Sequence, residues 1–163
     1  MKLSRKSEYG LRALVELTHA YGLAPLRRTE IAERQQIPIG FLETILLELK
    51  RAGMLGSRPG ANGGFRLIKR PQDVTLGQVI RTLDGPLAPI PCVSQTAYQK
   101  CQNCPYTDEL ECPIKSVMSD VRMAIVNVLD RYTLLSFSQQ VKNGAMNLNA
   151  GSSIERALGT ELG

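Results

Sequence analysis

The sequence has little of what membrane proteins, exported proteins and enzymes require. No stretch of its 163 residues approaches the ~18 uninterrupted apolar residues of a membrane span. The charged start, MKLSRKSEYGLRALVEL, lacks the apolar core of a secretory signal. There is one histidine, His19, interpreted as structural because it falls within a helical pattern, and there is no glycine-rich phosphate loop. We therefore expect a cytoplasmic protein that is not an enzyme and has no membrane partner.

Cysteine is absent outside one segment. All four cysteines lie between residues 92 and 112, in a chain long enough to bury a core without disulfide staples. In a reducing compartment such a cluster indicates a metal site or redox thiols rather than disulfides. The segment lacks periodic apolar residues and is longer than compact domains usually leave unstructured, so we expect it to be either functional or disordered.

Charge is unevenly distributed along the chain, whose net charge is +5. Residues 1–70 contain 13 Lys and Arg against 6 Asp and Glu, whereas residues 71–163 contain 7 against 9. A basic first half predicts a nucleic-acid-binding module joined to a partner or sensor region. The alternative is a solvated basic face without a partner.

Hydrophobic periodicity predicts three helices in the first half. The first runs from Ser4, a plausible N-cap, to about Tyr21, whose side chain ends its apolar stripe. A short helix, RRTEIAERQQ, is followed by a break at residues 36–38 and a further helix over 39–51, which together indicate a helix-turn-helix. The side chains expected to face inward in the last helix are Phe41, Leu42, Ile45, Leu46 and Leu49.

Two short strand-like runs follow, and the turn signals between them predict a hairpin over residues 54–69. MLGSR and GFRLIK are separated by Pro59-Gly60 and Asn62-Gly63, which are strong turn dipeptides. A helix, a helix-turn-helix and a hairpin in this order make a winged helix. Cations at the base of the hairpin tip and on the returning strand favour phosphate and groove contact over ordinary solvation; they are Arg58, Arg66, Lys69 and Arg70.

The second half predicts a short helix, the cysteine segment and one long helix. CPIKSVMSDVRMAIVNVLDRY carries apolar residues at three- and four-residue intervals over about five turns. Such a helix is too long for short elements to cover, so we expect a dimer seam, with packing inside one subunit as the alternative. The fold class is mainly α with a small β-hairpin. The expected units are 1–85 (winged helix), 86–112 (cysteine segment), 113–142 (dimerisation helix and C-terminal element) and 143–163 (flexible tail).

Three stretches resemble a known family. LSRKSEYGLRAL, FLETILLELKRAGMLGSRPGANGGFRL and GQVIRTLDGPLAPIPC are similar to the Rrf2 family of bacterial winged-helix transcription regulators, which includes IscR, NsrR and CymR. The resemblance extends over about residues 1–137. It implies a homodimer joined through the long helix and bound to a roughly palindromic operator in double-stranded DNA. The helix over 39–51 would enter the major groove, and the wing would enter the adjacent minor groove.

The resemblance also implies DNA-binding residues. Glu43, near the start of the recognition helix, could accept a hydrogen bond from a cytosine amino group. The alternative, which the residues alone favour, is a surface charge paired with a neighbour. Arg58 would occupy the wing position, where a narrow A·T-rich minor groove attracts a guanidinium. The implied contact residues are Gly40, Phe41, Glu43, Thr44, Lys50, Arg58, Pro59 and Gly60.

In this family, members with cysteines after the wing typically hold a 2Fe-2S or 4Fe-4S cluster on three of them. Cys92 matches the first and Cys112 the third, while either Cys101 or Cys104 matches the second. The histidine that the IscR-type branch uses as fourth ligand is replaced by Lys115. The resemblance leaves two candidates for the fourth ligand: the spare cysteine, or Glu8 supplied by the opposite subunit. A 2Fe-2S cluster is the first expectation.

Three other interpretations of the cysteines remain. A four-cysteine zinc site usually presents two close pairs, whereas only Cys101 and Cys104 form one here, so zinc ranks second. Iron–sulfur clusters accept irregular spacings because the inorganic core sets the geometry. A regulator switched by thiol oxidation alone ranks with zinc. An iron–sulfur electron carrier or scaffold protein is the alternative from a different class, and the basic first half argues against it.

Overall fold

The computed structural model describes residues 2–102, 104–106, 108 and 111–142. Within these residues the chain forms six α-helices and one two-stranded hairpin, so the predicted mainly α fold with a winged helix-turn-helix is confirmed. The elements are α1 (Arg5–His19), α2 (Arg28–Gln35), α3 (Ile39–Arg51), β1 (Leu55–Arg58), β2 (Gly64–Leu67), α4 (Leu76–Asp84), α5 (Pro113–Arg131) and α6 (Leu134–Lys142), with 3₁₀ turns at Pro71–Asp73 and Pro91–Val93. The predicted tail, 143–163, lies outside the described residues.

Helix α1 begins at a serine cap and ends earlier than predicted. The Ser4 hydroxyl accepts a hydrogen bond from the Ser7 amide at 3.1 Å, and the Ser4 amide donates to Asp84 at 3.0 Å, which ties α1 to the end of α4. The helix stops at His19. Tyr21 lies beyond it and is 42% exposed, so its expected place in the apolar stripe was wrong. The reason is local: the chain turns at Gly22, whose φ is +80°.

The helix-turn-helix forms where predicted. Gln36 adopts a left-handed conformation with φ 51°, and this residue makes the sharp turn between α2 and α3. Helix α3 then buries Leu42, Ile45, Leu46 and Leu49 in the core. Phe41 is 56% exposed, contrary to its predicted inward orientation. It projects about 90° from the centre of the buried stripe, since successive residues of a helix are separated by about 100°.

The wing has a third strand, one residue long, that the sequence did not predict. Strands β1 and β2 pair antiparallel in the register Leu55↔Leu67 to Arg58↔Gly64. Leu26 then pairs with Phe65 through two backbone hydrogen bonds of 3.0 and 2.8 Å, so the loop before α2 adds a one-residue strand to the hairpin. Of the three cations predicted on the returning strand, Arg66 lies in β2, whereas Lys69 and Arg70 follow it.

The core lies between α1, α3, α4 and α6. Helix α4 contributes Leu76, Val79, Ile80 and Leu83 to it. Helix α6 returns to α1 and inserts Leu134, which is buried. The C-terminal element therefore packs on the winged helix.

Helix α5 differs from the other helices because none of its residues is buried. One side, with Ile125, Val126 and Leu129, packs against the core. The adjoining face, about 100° around the helix, carries exposed apolar residues at helical spacing, here called the α5 stripe: Ile114, Val117, Val121 and Val128. This single chain therefore leaves uncovered part of the apolar surface that the sequence predicted as a seam. None of the described helices is long and apolar enough to cross a bilayer.

Two helical glycines give a matched test of the packing of α1 against α4. A Cβ added at Gly10 would overlap the Leu83 side chain and lie 3.4 Å from Ile45 Cγ2, whereas one added at Gly40 would meet nothing within 4 Å. Gly10→Ala should therefore lower the free energy of unfolding by about 1–3 kcal/mol through overpacking. Gly40→Ala should raise it by about 0.5 kcal/mol through helix propensity. Urea unfolding followed by circular dichroism measures both, and equal effects would contradict the α1–α4 packing.

Candidate DNA-binding surface and cysteine site

The outward side of α3 is open at its start. Gly40, Phe41 and Thr44 are all exposed, and the Thr44 hydroxyl donates to the Gly40 carbonyl at 3.3 Å. The Phe41 ring meets the Tyr9 ring edge-on, with 6.3 Å between centroids. These residues form a shallow surface on which a base edge could approach the backbone of α3 closely.

Glu43 forms an ion pair whose partner the sequence did not identify. Its carboxylate lies 2.8 Å from Arg28 Nη1, at the first residue of α2. In the absence of DNA, Glu43 is therefore a surface charge paired with a neighbour, which was the alternative interpretation of this residue. The pair is solvent-exposed and so contributes little to stability, which leaves the carboxylate able to exchange partners. The signal for Arg28 was the Arg-Arg pair that begins the helical run RRTEIAERQQ.

Two side-chain contacts attach the wing to the helix-turn-helix. Lys50 Nζ, near the end of α3, donates to the Ser57 hydroxyl on β1 at 2.7 Å. Arg27 Nη2, just before α2, donates to the Ala61 carbonyl in the wing turn at 2.5 Å. The wing and the recognition helix are therefore linked at both the strand and the tip.

The wing tip presents Arg58 at the end of β1, followed by Pro59 and Gly60. Arg58 is exposed, and within the described part of the chain it forms no ion pair. Arg70 differs, because its guanidinium binds both carboxylate oxygens of Asp73 at 2.7 and 3.2 Å. Arg58 is thus the cation of the wing tip that is available to a ligand.

The helix-turn-helix, the wing and the residues just after it carry many exposed cations. These cations outnumber the carboxylates of α2 and α3, which suits a polyanion such as the DNA backbone. These exposed cations are Arg27, Arg28, Lys50, Arg51, Arg58, Arg66, Lys69 and Arg70.

The four cysteines line one small pocket, here called the cysteine pocket, together with Lys100 and Lys115. Cys92 lies in the 3₁₀ turn Pro91–Val93 and is 6% exposed, and Cys112 is the residue that precedes α5. Cys104 is half-buried, and Cys101 is exposed. Residues from both ends of the segment therefore meet at the N-terminus of α5.

All four cysteines of this pocket offer thiol donors, which both iron–sulfur clusters and structural zinc sites use. Among the described residues, no three Cys, His, Asp or Glu side chains are grouped closely enough to surround one ion, as the ~2.3 Å Zn–S bonds of zinc require. The thiolates of a cluster bind different iron atoms, so they need not surround one point. The lysines and the positive end of α5 favour an anionic group here.

Glu8, the alternative fourth ligand, lies elsewhere in the single chain. It is exposed on α1, with its carboxylate 3.7 Å from Arg12 Nη1, and is not among the described residues that line the cysteine pocket. Lys115 does line that pocket, and its Nζ lies 5.8 Å from the centroid of the Tyr98 ring. Within this single chain, Glu8 is therefore not placed with the cysteines.

Comparison with known proteins identifies the family. A family model described as Rrf2, iron-dependent transcriptional regulator, matches residues 3–140. The chain belongs to the Rrf2 family. This Rrf2 protein is 42% identical, over 135 residues, to an rrf2-like HTH-type transcriptional regulator of Rhodobacter capsulatus, covering 81% of this chain and 89% of the relative.

Two solved structures of Rrf2 regulators share the fold. CymR, the global cysteine regulator of B. subtilis, superposes with a TM-score of 0.70 at 30% identity, covering 85% of this chain and 97% of CymR. T. potens IscR gives a TM-score of 0.69 at 29% identity, covering 90% and 92%. The family prediction is therefore confirmed. This Rrf2 protein is a DNA-binding transcriptional regulator and not an enzyme.

In this Rrf2 protein an ion pair connects α5 to the winged helix. Arg81 on α4 donates two hydrogen bonds to Asp130 on α5, at 2.6 and 2.9 Å, and the Thr75 hydroxyl adds a third at 3.2 Å. The hydrogen bond from Arg81 holds the pKa of Asp130 below its ordinary value. The C-terminal end of α5 is therefore fixed to α4, while its N-terminal end carries the cysteine pocket.

Proposed function

We propose that this Rrf2 regulator binds a roughly palindromic operator as a homodimer, and that an iron–sulfur cluster in the cysteine pocket controls this binding. The observation that carries the proposal is the convergence of all four cysteines at the N-terminus of α5, between the winged helix and the exposed α5 stripe. A cytoplasmic location follows from the operator being the target. A 2Fe-2S cluster is preferred to 4Fe-4S or zinc.

The DNA contacts are proposed from the exposed surface. Gly40, Phe41 and Thr44 would meet base edges in the major groove, while Glu43 would leave Arg28 to accept from a cytosine amino group. Lys50 would contact phosphate near the end of α3. Arg58, with Pro59 and Gly60, would enter the minor groove.

The cluster ligands are proposed as Cys92 and Cys112 with Cys101, Cys104 or both; Glu8 from the second subunit is the alternative fourth ligand. When bound, the cluster would link Cys92 to Cys112, and iron shortage, oxidants or nitric oxide could break that link. Cys92 follows α4 and the winged helix, and Cys112 precedes α5. A link between these two residues would fix the direction of α5, and with it the spacing of two recognition helices in a dimer.

Thiol oxidation without a cluster is the second candidate, and the exposure of Cys101 favours it. It predicts a colourless protein whose operator affinity changes with oxidant. An electron carrier, by contrast, would have no operator. Selection of bound fragments from a random duplex pool, repeated at rising salt, separates that class from a regulator, because operator affinity falls steeply as phosphate contacts release counterions.

Arg58→Ala should weaken operator binding by roughly 5- to 150-fold, equivalent to about 1–3 kcal/mol for the loss of a groove-reading arginine. Fluorescence anisotropy with the selected operator measures the change. Arg70→Ala is the matched control, since Asp73 already engages that guanidinium. It should alter affinity by less than about threefold, a smaller loss than for a groove contact. Equal losses in both variants would mean that general charge, and not the wing tip, drives binding.

A further inference from the structure

A second cavity lies beside the cysteine pocket. It has a volume of ≈ 330 Å³, is partly open to solvent and is lined by α4, the loop after it and α5. This volume is at the lower end of the range of small-molecule sites in proteins. Its polar lining includes Arg81, Arg122 and Asp130, with the hydroxyls of Ser94 and Thr96.

The two arginines in this cavity have different partners. Arg81 is fully engaged, because both of its terminal nitrogens bind Asp130. Arg122 is half-buried, and among the described residues its guanidinium donates to the thioether sulfur of Met123 at 3.7 Å. A thioether is a weak acceptor for a guanidinium that carries five N–H donors. The cavity therefore holds one uncompensated positive charge with unused hydrogen-bond donors.

We propose that this cavity binds a small organic acid, with one carboxylate on a short apolar skeleton. The planar guanidinium of Arg122 matches a carboxylate through two parallel hydrogen bonds. One net positive charge suits a monoanion better than a phosphate dianion. Leu87, which is buried, and Val126 supply an apolar wall for the carbon skeleton. The Ser94 hydroxyl accepts from the Ala97 amide at 3.0 Å and can donate its own proton to the ligand.

The cavity and the cysteine pocket share two structural elements. The loop that carries Cys92 in the cysteine pocket places Ser94 and Thr96 in the cavity two and four residues later. On α5, Lys115 lines the cysteine pocket, and Arg122 lines the cavity one heptad further along, about 10 Å away by helix rise. An acid bound to Arg122 and Ser94 would therefore restrain the segment that positions Cys92.

Fluorine NMR with 4,4,4-trifluorobutyrate tests the site on the full chain. We expect saturable binding to the wild-type protein, at least tenfold weaker binding to Arg122→Gln, and partial recovery in Arg122→Lys. Arg131→Gln removes an exposed arginine from the same helix and should bind like the wild type within twofold. Thr96→Val, which removes a lining hydroxyl without touching α5, should weaken binding two- to fivefold. The alcohol 4,4,4-trifluorobutanol, which lacks the charge, should show no saturable binding.

The site is refuted by unchanged affinity in Arg122→Gln, by absence of saturable binding to the wild type, or by equal binding of the alcohol. Tighter binding of 3,3,3-trifluoropropylphosphonate than of the carboxylate would overturn the assignment to a carboxylic acid. If Arg122→Gln melts at a lower temperature than the wild type, Arg122→Lys and Thr96→Val decide the matter. The measurement needs neither DNA nor a cluster, so its outcome is independent of the operator experiments.

Discussion

Cys92→Ala should abolish the visible absorbance of the anaerobically purified protein. Cys92 is the most buried of the four thiols and lies in the 3₁₀ turn that contacts α5. Its loss would remove the ligand on the side of the pocket that is joined to the winged helix. Among the described residues that line the pocket there is no carboxylate or histidine to replace it. Cys112→Ala should have the same effect from the α5 side. Absorbance spectra together with iron and sulfide analysis measure both losses.

The remaining variants identify the other ligands. Cys101→Ala and Cys104→Ala form a matched pair: loss of colour in only one identifies the middle ligand, and loss in both indicates four cysteine ligands. Glu8→Gln should then leave the spectrum unchanged, whereas a shifted spectrum would assign Glu8 as the ligand from the second subunit. A colourless wild-type protein with stoichiometric zinc would rule out the cluster. A colourless, metal-free protein whose operator affinity depends on oxidant would favour the thiol switch.

Helix faces and the hairpin were predictable because they follow from local patterns. The burial of Leu42, Ile45 and Leu46 on one face of α3 follows from helical spacing. The wing follows from two turn dipeptides, and its tip has the required geometry at Gly60, with φ +98°. In both cases the determining interactions lie within a few residues of one another.

Features that depend on contacts distant in sequence were not predictable. Leu26 pairs with Phe65 across 39 residues through one bridge, which leaves no periodic signal. The exposure of Phe41 depends on the direction from which α1 and α4 cover α3. The ion pair between Arg28 and Glu43 joins two helices whose angle the sequence does not encode locally.

The cysteine segment lies between these two cases. The resemblance to the Rrf2 family matched Cys92 and Cys112 to the first and third ligand positions, and the structure brings both residues to one pocket. The resemblance could not choose between Cys101 and Cys104 for the second position, and both line the same pocket. If the proposed cluster binds, the middle ligand would depend on how the loop arranges around it, because the inorganic core sets the geometry.

Val121→Glu should convert the dimer that we propose into monomers. Val121 is 40% exposed and lies in the middle of the α5 stripe, between Val117 and Val128. In a symmetric seam each substitution occurs twice, so two buried carboxylates would lack partners, at a cost of about 4 kcal/mol or more. That cost raises the dimer dissociation constant roughly 1,000-fold. Analytical ultracentrifugation over a range of protein concentrations measures the shift.

Asn127→Glu is the matched control on the same helix. Asn127 is exposed and points about 100° away from Val128, so the added charge should remain in solvent and leave the dimer intact. Operator affinity should follow dimer formation: Val121→Glu should lose most of it, because separate winged helices forfeit the effective concentration that links two half-sites. A Val121→Glu variant that stays dimeric would place the seam on another surface. A wild-type monomer that binds single half-sites tightly would show that the α5 stripe has a different partner.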